Sequence, residues 1–435
     1  MIKAPIDLQE LRRRIYRKAK SERKHRFWGI FVHLTKIEVL TEAYRQAKKN
    51  GGAPGIDGMT FEEIEESGRD AFINALREDL LARTYKPLAN RRVEISKGNG
   101  KVRTLQIPCI RDRVVQGALK WVLEAIFEAD FCPNSYGFRP KRSPHRALAE
   151  VRRSLCRRMS TVVDVDLSCY FDTIRHSVLL EKIARRVQDP DVLHLVKQTL
   201  KAGGKIGAPQ GGPFSPLAAN IYLNEVDWCF DGIRCKTAQG GFEAVNYHRF
   251  ADDIVILVSG HHTKRGWAER ALQRLTEQIA PLGVELNREK TRIVDTLTGD
   301  AFGFLGFEIR RVLSRAKNRH FFLLTPKKKA RLAIKTKIRE TIRRGGATPA
   351  KDLVRKLNRL VAGWVEYFRV GHSSRAFSEV RDYLEMKIRI LLTRRTRRHK
   401  RGMGWERWSN EYLYGVLGLY WDWKVQTLKK AETYS

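Results

Sequence analysis

The 435-residue sequence is short of acid: 48 Asp and Glu stand against 84 Lys and Arg, a formal net charge of +36. An enzyme of a small anionic metabolite has no use for that excess. A surface this basic attracts a polyanion, and nucleic acid is the commonest one. The blander readings are a solubility device or a ribosome-bound structural protein. The six cysteines, at 109, 132, 156, 169, 229 and 235, include no CxxC pair, which excludes the usual zinc-site spacing. No apolar run approaches the length of a membrane span, and MIKAPIDLQE at the start is not a secretory signal. A soluble, reduced, cytoplasmic protein with no membrane partner is expected. Internal repeats and low-complexity blocks are also absent.

Hydrophobic residues make up 42% of the chain, enough for a real core, and the length suggests two to four domains. The charge is uneven. From Pro326 onward there are 28 Lys and Arg against 10 Asp and Glu, half of the net charge in a quarter of the chain. Such asymmetry suggests a dedicated nucleic-acid-binding region. Residues 1–30 carry 10 basic and 3 acidic residues, and Leu8, Leu11 and Ile15 sit at helical spacing. Helix is expected over 35–49, then a shaped loop at NGGAPGIDG (50–58), then helices over 60–83. Two β-prone arms around SKGNGK predict a hairpin over 91–108. Helices are expected at 111–128, 143–158 and 264–282, a buried strand at 161–170, and a strand at 302–310. YHRFADDIVILVS (247–259) reads as two strand arms around a tight turn at Ala251–Asp253. Basic helices are expected around 327–344, 350–369 and 375–398.

The sharpest signal is acid where strands should bury apolar side chains: Asp164, Asp166, Asp252 and Asp253 all sit in runs of Val, Ile and Leu. A buried unpaired carboxylate is expensive and calls for a salt bridge, a proton or a metal ion. Asp164 and Asp166 share one strand face, so one of them can approach the turn pair from a neighbouring strand. Two or three carboxylates meeting there would hold two divalent cations roughly 3.5–4 Å apart, as in two-metal displacement sites. Mg²⁺, with Mn²⁺ as a substitute, suits carboxylates plus substrate phosphates.

These residues stand in a series of blocks that resembles the group II intron reverse transcriptases/maturases, from about residue 40 to the end and in that family's order. The blocks are NGGAPGIDG, RRVEISKGNGKVRTLQIPCIRDRVVQ (91–116), SYGFRPKRSPHRAL (135–148), VVDVDLSCYFDTIRH (162–176), GAPQGGPFSPLAANIYLNEVD (207–227), RFADDIVIL (249–257), LGVELNREKTRI (282–293), FGFLGFEI (302–309) and KLNRLVAGWVEYFR (356–369). The resemblance implies an α+β right-hand polymerase fold with fingers, a palm built on an antiparallel sheet, and a helical thumb. It divides the chain into an N-terminal extension and loop motif (1–85), fingers and palm (86–315), thumb or maturase domain (320–392) and a small basic and aromatic DNA-binding region (393–435). It implies RNA-directed DNA polymerase activity, with dNTPs, an RNA template carrying a DNA primer, intron RNA and target DNA as partners. It also implies nucleoid association when the protein acts on DNA.

By the same resemblance, Asp166, Asp252 and Asp253 would be the catalytic, metal-binding carboxylates, with Asp164 in support. Tyr170 or Phe171 would lie under the incoming sugar and exclude a 2′-hydroxyl, Tyr170 being the favoured ring. Gln210 and the Gly211–Gly212 backbone would line the nucleotide pocket, Lys97 and Arg103 would grip the triphosphate, and Lys290 would lie near the leaving pyrophosphate. The sequence departs from the family's pattern at Phe250 (more often Tyr), Phe214 (more often β-branched), and Ala208 and Cys109 (more often Thr), which bears on fine substrate geometry. It also shows no C-terminal His/Asn/Cys-rich endonuclease cluster, so priming from an existing DNA end is expected.

Arg139, Lys141 and Arg142 either bind template phosphates or form a solvated face. Arg394, Arg395, Arg397 and Arg398, in TRRTRRHKR (393–401), are expected to contact RNA or DNA. Trp405, Trp408 and Trp421 read as the core of a small module in preference to base-stacking platforms. His145 and His176 read as hydrogen-bonded structural residues, and Gly363 and Trp364 as thumb packing. The alternatives in function are an RNA-binding maturase with little polymerase activity, and a domesticated reverse transcriptase serving CRISPR adaptation, repair or phage defence.

Overall fold

The computed structural model describes residues 6–98, 101–238, 243–264, 266–396 and 404–426. The fold is α+β: the described residues form helices together with a two-, a four- and a three-stranded sheet. The strands are β1 (Arg91–Gly98), β2 (Lys101–Ile107), β3 (Thr161–Asp166), β4 (Val245–Phe250), β5 (Asp253–Val258), β6 (Arg292–Asp295), β7 (Ala301–Phe304), β8 (Phe307–Ser314) and β9 (Arg319–Pro326). The chain divides into two compact units, 1–142 with 165–256 and 266–292, and 143–164 with 257–265 and 293–435.

In the first unit the N-terminal helix Ile6–Ser21 buries Leu8, Ile15 and Ala19 and leaves most of its cations exposed. It packs on Ile110–Phe127, and Arg12 pairs with Glu124 of that helix. Helix Ile37–Asn50 lies on the same helix, where Gly117 lets Ala43 approach closely. Thr60 and Glu63 form a reciprocal capping box that starts helix Phe61–Ser67. β1 and β2 form the expected antiparallel hairpin, with Ile95 opposite Arg103 and an irregularity between Ser96 and Gly98. Helix Ser215–Ala238 is buried along much of its length. The four-stranded sheet, which is not confined to this unit, has the order β4-β5-β3-β6.

In the second unit β7, β8 and β9 form an antiparallel meander; the single strand expected over 302–310 is instead broken at Leu305 and Gly306, both at positive φ, into β7 and β8. Three helices follow, Lys328–Arg344, Ala350–Phe368 and Ser374–Arg395. Trp364 packs on Phe368 and Phe377, and His145 Nε2 bonds the Tyr367 carbonyl at 2.7 Å, as expected of structural residues. The segment 404–426 is sewn onto these helices: Asn358 donates to the Gly418 carbonyl and accepts from the Tyr420 amide, and Arg369 reaches Asp422. The expected aromatic core does not form. Trp408 is half-buried against Tyr412, but Trp405 is 61% and Trp421 72% exposed, so Leu413, Leu417 and Leu419 supply the buried contacts instead. No helix among the described residues is long and apolar enough to cross a membrane.

Candidate active site

β4 and β5 are joined through Ala251 and Asp252, and Asp253 begins β5. Ala251 adopts a left-handed φ of 58°, an uncommon conformation for a residue with a Cβ, and this makes the tight turn. β3 is the hydrogen-bonded neighbour of β5. Just past β5, the Gly260 amide donates to the Arg158 carbonyl just ahead of β3 at 3.1 Å. The end of β5 therefore lies by the start of β3, and the opposite strand ends, bearing Asp253 and Asp166, lie together.

The carboxylates are not sunk in the core. Asp252 and Asp253 are exposed, and Asp164 and Asp166 are intermediate in burial. Their desolvation cost is therefore lower than the apolar runs suggest: Asp166 closes β3 and Asp252 and Asp253 stand at the start of β5, where the strands emerge. Asp164 accepts from the Gly303 amide at 3.5 Å.

Lys290 comes to this edge through backbone pairing. Leu286 bridges Leu167 in antiparallel fashion, and the Asn287 amide donates to the Asp166 carbonyl at 2.8 Å. Lys290 Nζ then lies 2.8 Å from Asp166 Oδ2. Among the described residues no three His, Cys, Asp or Glu side chains converge as a metal cluster. The donor set is nonetheless chemically right for Mg²⁺, which takes hard carboxylate oxygens together with water and phosphate ligands, and these carboxylates are reachable by solvent.

The PQG loop is tied to the foot of the β1–β2 hairpin. The Gln106 amide donates to the Gln210 carbonyl at 2.9 Å, and Gly211, at φ 138°, approaches so closely that a Cβ would stand 2.6 Å from the Gln106 carbonyl oxygen. Gln210 Nε2 donates to Asp172 at 3.3 Å, a partner the sequence did not suggest. Lys97 and Arg103 take their places on β1 and β2, but their side chains lie outside the described residues.

Three sequence expectations change. Tyr170 is fully buried, its hydroxyl donates to the Ala219 carbonyl, and burial pushes its phenol well above the usual range. It cannot face a sugar, whereas Phe171, set edge-on against it, is only half-buried. Arg139 is neither a phosphate contact nor a solvated side chain. It is buried in a two-pronged pair with Glu128 and also donates to the Cys132 and Ser135 carbonyls. Lys141 is exposed and Arg142 intermediate, near Pro133 and the Tyr136 ring. Arg395 caps a neighbouring turn through the carbonyls of Gly345, Gly346 and Thr348, which leaves Arg394 as the exposed cation of that pair. Arg397 and Arg398 lie outside the described residues. His176 bonds the Gly207 carbonyl at 2.8 Å, as a structural residue should.

The sequence reading missed the group behind the turn. Arg249 and Asp227 are both 0% exposed and form a fork-to-fork pair at 2.6–2.7 Å. Burial opposes the guanidinium charge, but Asp227 outweighs it and holds the Arg249 pKa above its ordinary value. Tyr247 donates to the same carboxylate. The signal was present: a charged residue in a strand bound for the core, the same oddity that marked the aspartates.

Residues 95–309 match the family model described as reverse transcriptase (RNA-dependent DNA polymerase), and residues 331–412 match that of the group II intron maturase-specific domain. The first defines the class, a reverse transcriptase. Protein YkfC of Escherichia coli is 34% identical over 362 residues, covering 74% of this chain and 94% of that protein. The group II intron-encoded protein LtrA of Lactococcus lactis is 30% identical over 349 residues, covering 65% and 57%. A putative COX1/OXI3 intron 1 protein of Saccharomyces cerevisiae is 27% identical, covering 74% and 43%. The chain belongs to the reverse transcriptase/maturase family of group II introns. It spans about half the length of the intron-encoded relatives it matches.

Proposed function

We propose that this chain copies RNA into DNA, adding dNTPs to a primer 3′ end, and binds group II intron RNA to assist its splicing and mobility. The observation that carries this reading is the meeting of Asp166 with Asp252 and Asp253 at the joined ends of β3 and β5, beside Lys290 and the PQG loop. In this reading residues 86–315, with the β1–β2 hairpin and the four-stranded sheet, are the fingers and palm, and the helices within 320–392 are the thumb. Residues 1–85 form the extension and 393–435 a DNA-binding region.

Asp166, Asp252 and Asp253 would hold Mg²⁺, which when bound activates the attacking oxygen and stabilises the leaving one. The chain's own groups do the rest. Phe171 offers a flat apolar face beneath the sugar, and its ring blocks the space that a 2′-hydroxyl would need. Gln210, steadied by Asp172, and the Gly211–Gly212 backbone line the base side. The Lys290 ammonium, paired with Asp166 in the free protein, donates to phosphate oxygens when they arrive, as Lys97 and Arg103 do from the hairpin. Positioning and charge neutralisation account for most of the rate.

Asp252→Asn tests the assignment. It should abolish DNA synthesis on a primed RNA template and leave RNA binding nearly intact; full activity in this variant overturns the reading.

A further inference from the structure

The β4–β5 turn carries Asp252 and Asp253 on a strained residue, Ala251, yet its conformation is not left to the turn itself. The segment 134–138 runs along β4. The Arg249 amide donates to the Asn134 carbonyl at 3.0 Å, the Tyr136 amide to the Arg249 carbonyl at 2.9 Å, and Ser135 bridges Arg249 in parallel. This puts Gly137 against the turn, where a Cβ would stand 2.4 Å from the Ala251 amide nitrogen. Space, rather than backbone angle, requires glycine there.

The Arg249 guanidinium locks the two together. A guanidinium has five N–H donors, and Arg249 has a partner for each. Nε and one Nη2 hydrogen go to Asp227, the other Nη2 hydrogen to Ser135 Oγ at 2.9 Å, and Nη1 to Asn220 Oδ1 at 3.1 Å and the Ala251 carbonyl at 3.0 Å. Asn220 closes the loop: its Nδ2 donates to the Gly137 carbonyl at 2.7 Å. One buried side chain thus holds the carbonyl of the strained residue, and its partner holds the glycine pressed against that residue's amide.

We propose that Gly137, Asn220 and Arg249 are positioning residues, a rigid brace behind the turn that fixes the direction in which Asp252 and Asp253 are presented. None of them reaches the reacting atoms; they act through the Ala251 backbone. The inference rests on the polymerase reading for its consequence in rate, and on geometry alone for its effect on the turn.

The test uses the full chain with Gly137→Ala, Asn220→Ala and Arg249→Lys. Hydrogen–deuterium exchange of amides 250–254 is measured without nucleic acid, and primer extension is measured on an RNA template. The expected result is faster exchange confined to the turn, with kcat reduced by about tenfold or more and KM and template–primer affinity within about twofold, the mark of lost orientation rather than lost binding. Arg249→Lys keeps the positive charge beside Asp227 but not the five-donor fork. Wild-type kcat in that variant shows that Arg249 serves only to neutralise Asp227 and overturns the proposal. So does uniformly faster exchange across the fold, or unchanged exchange and rate in Asn220→Ala, which adds no clash and decides the matter if Gly137→Ala does not fold. A wild-type chain that extends no primer overturns the polymerase reading and leaves the exchange result to judge the brace alone.

Discussion

Two regions of this protein hold charge in opposite ways. Beneath the β4–β5 turn, Arg249 and Asp227 are wholly buried, and every guanidinium N–H has a partner. Along helix Lys328–Arg344, by contrast, Lys328, Lys329, Lys337, Arg339, Arg343 and Arg344 are exposed and have no ion-pair partner among the described residues. The first arrangement fixes a position, because removing either partner strands the other charge in a dry site. The second stays hydrated and available, so a polyanion gains counterion release at little desolvation cost. Among the described residues, only Arg331 and Lys335 of that helix are drawn into pairs, both with Glu379.

The comparison is sharpest in one chemical change made at two sites. Asp252→Asn removes an exposed charge and should leave the unfolding free energy unchanged while lowering the polymerisation rate by at least about a hundredfold, the scale of losing one group that supports transition-state charge. Asp227→Asn removes a buried one and should lower stability by about 3–5 kcal/mol, because Arg249 is left uncompensated. Urea unfolding and primer extension on both variants read the two effects separately. A large stability loss in Asp252→Asn, or none in Asp227→Asn, breaks the distinction.

The same contrast explains what could be read from the sequence. The acids of VVDVDLSCYFD and RFADDIVIL were legible because a carboxylate amid Val and Ile needs a reason, and the strand ends supply one. Arg249 belongs to the same stretch, yet its partner Asp227 lies 22 residues back on a helix, and no local pattern links the two. Arg139 fails for the same cause: RPKR shows charge, while burial on Glu128 is a fact of the fold. Trp405 and Trp421 invert the error, since their apolar bulk suggests a core and the segment 404–426 leaves them outside it.

The neighbouring rings Tyr170 and Phe171 give a smaller pair of effects. Phe171→Ala should relax discrimination against ribonucleotides by roughly tenfold or more, since one steric contact governs the 2′ position. Tyr170→Phe should leave discrimination intact and cost about 1 kcal/mol for its hydrogen bond to the Ala219 carbonyl. Competition between dNTPs and rNTPs during primer extension decides between the rings. Relaxed discrimination in Tyr170→Phe with none in Phe171→Ala would place the gate at the Tyr170 hydroxyl after all.

The smallest effect separates Arg394 from Arg395, adjacent residues on opposite sides of the comparison. Arg394 is exposed at the end of helix Ser374–Arg395, where one phosphate contact would steepen the salt dependence of binding by roughly 0.7 for single strands or 0.9 for B-DNA. Arg394→Gln should therefore flatten the slope of log affinity against log salt by about that amount and leave the melting temperature where it was. Arg395 is occupied with three backbone carbonyls of the 345–348 turn, so Arg395→Gln should cost about 1–2 kcal/mol of stability with a nearly unchanged slope. Titrations of a labelled RNA at several salt concentrations, with urea unfolding alongside, measure both. The polymerisation rate on saturating primer–template should hold in either variant, because neither residue lies in the β3–β5 site. A flattened slope in Arg395→Gln would mean that its carbonyl contacts yield to phosphate in the complex, so that a charge held for structure in the free protein is released for binding.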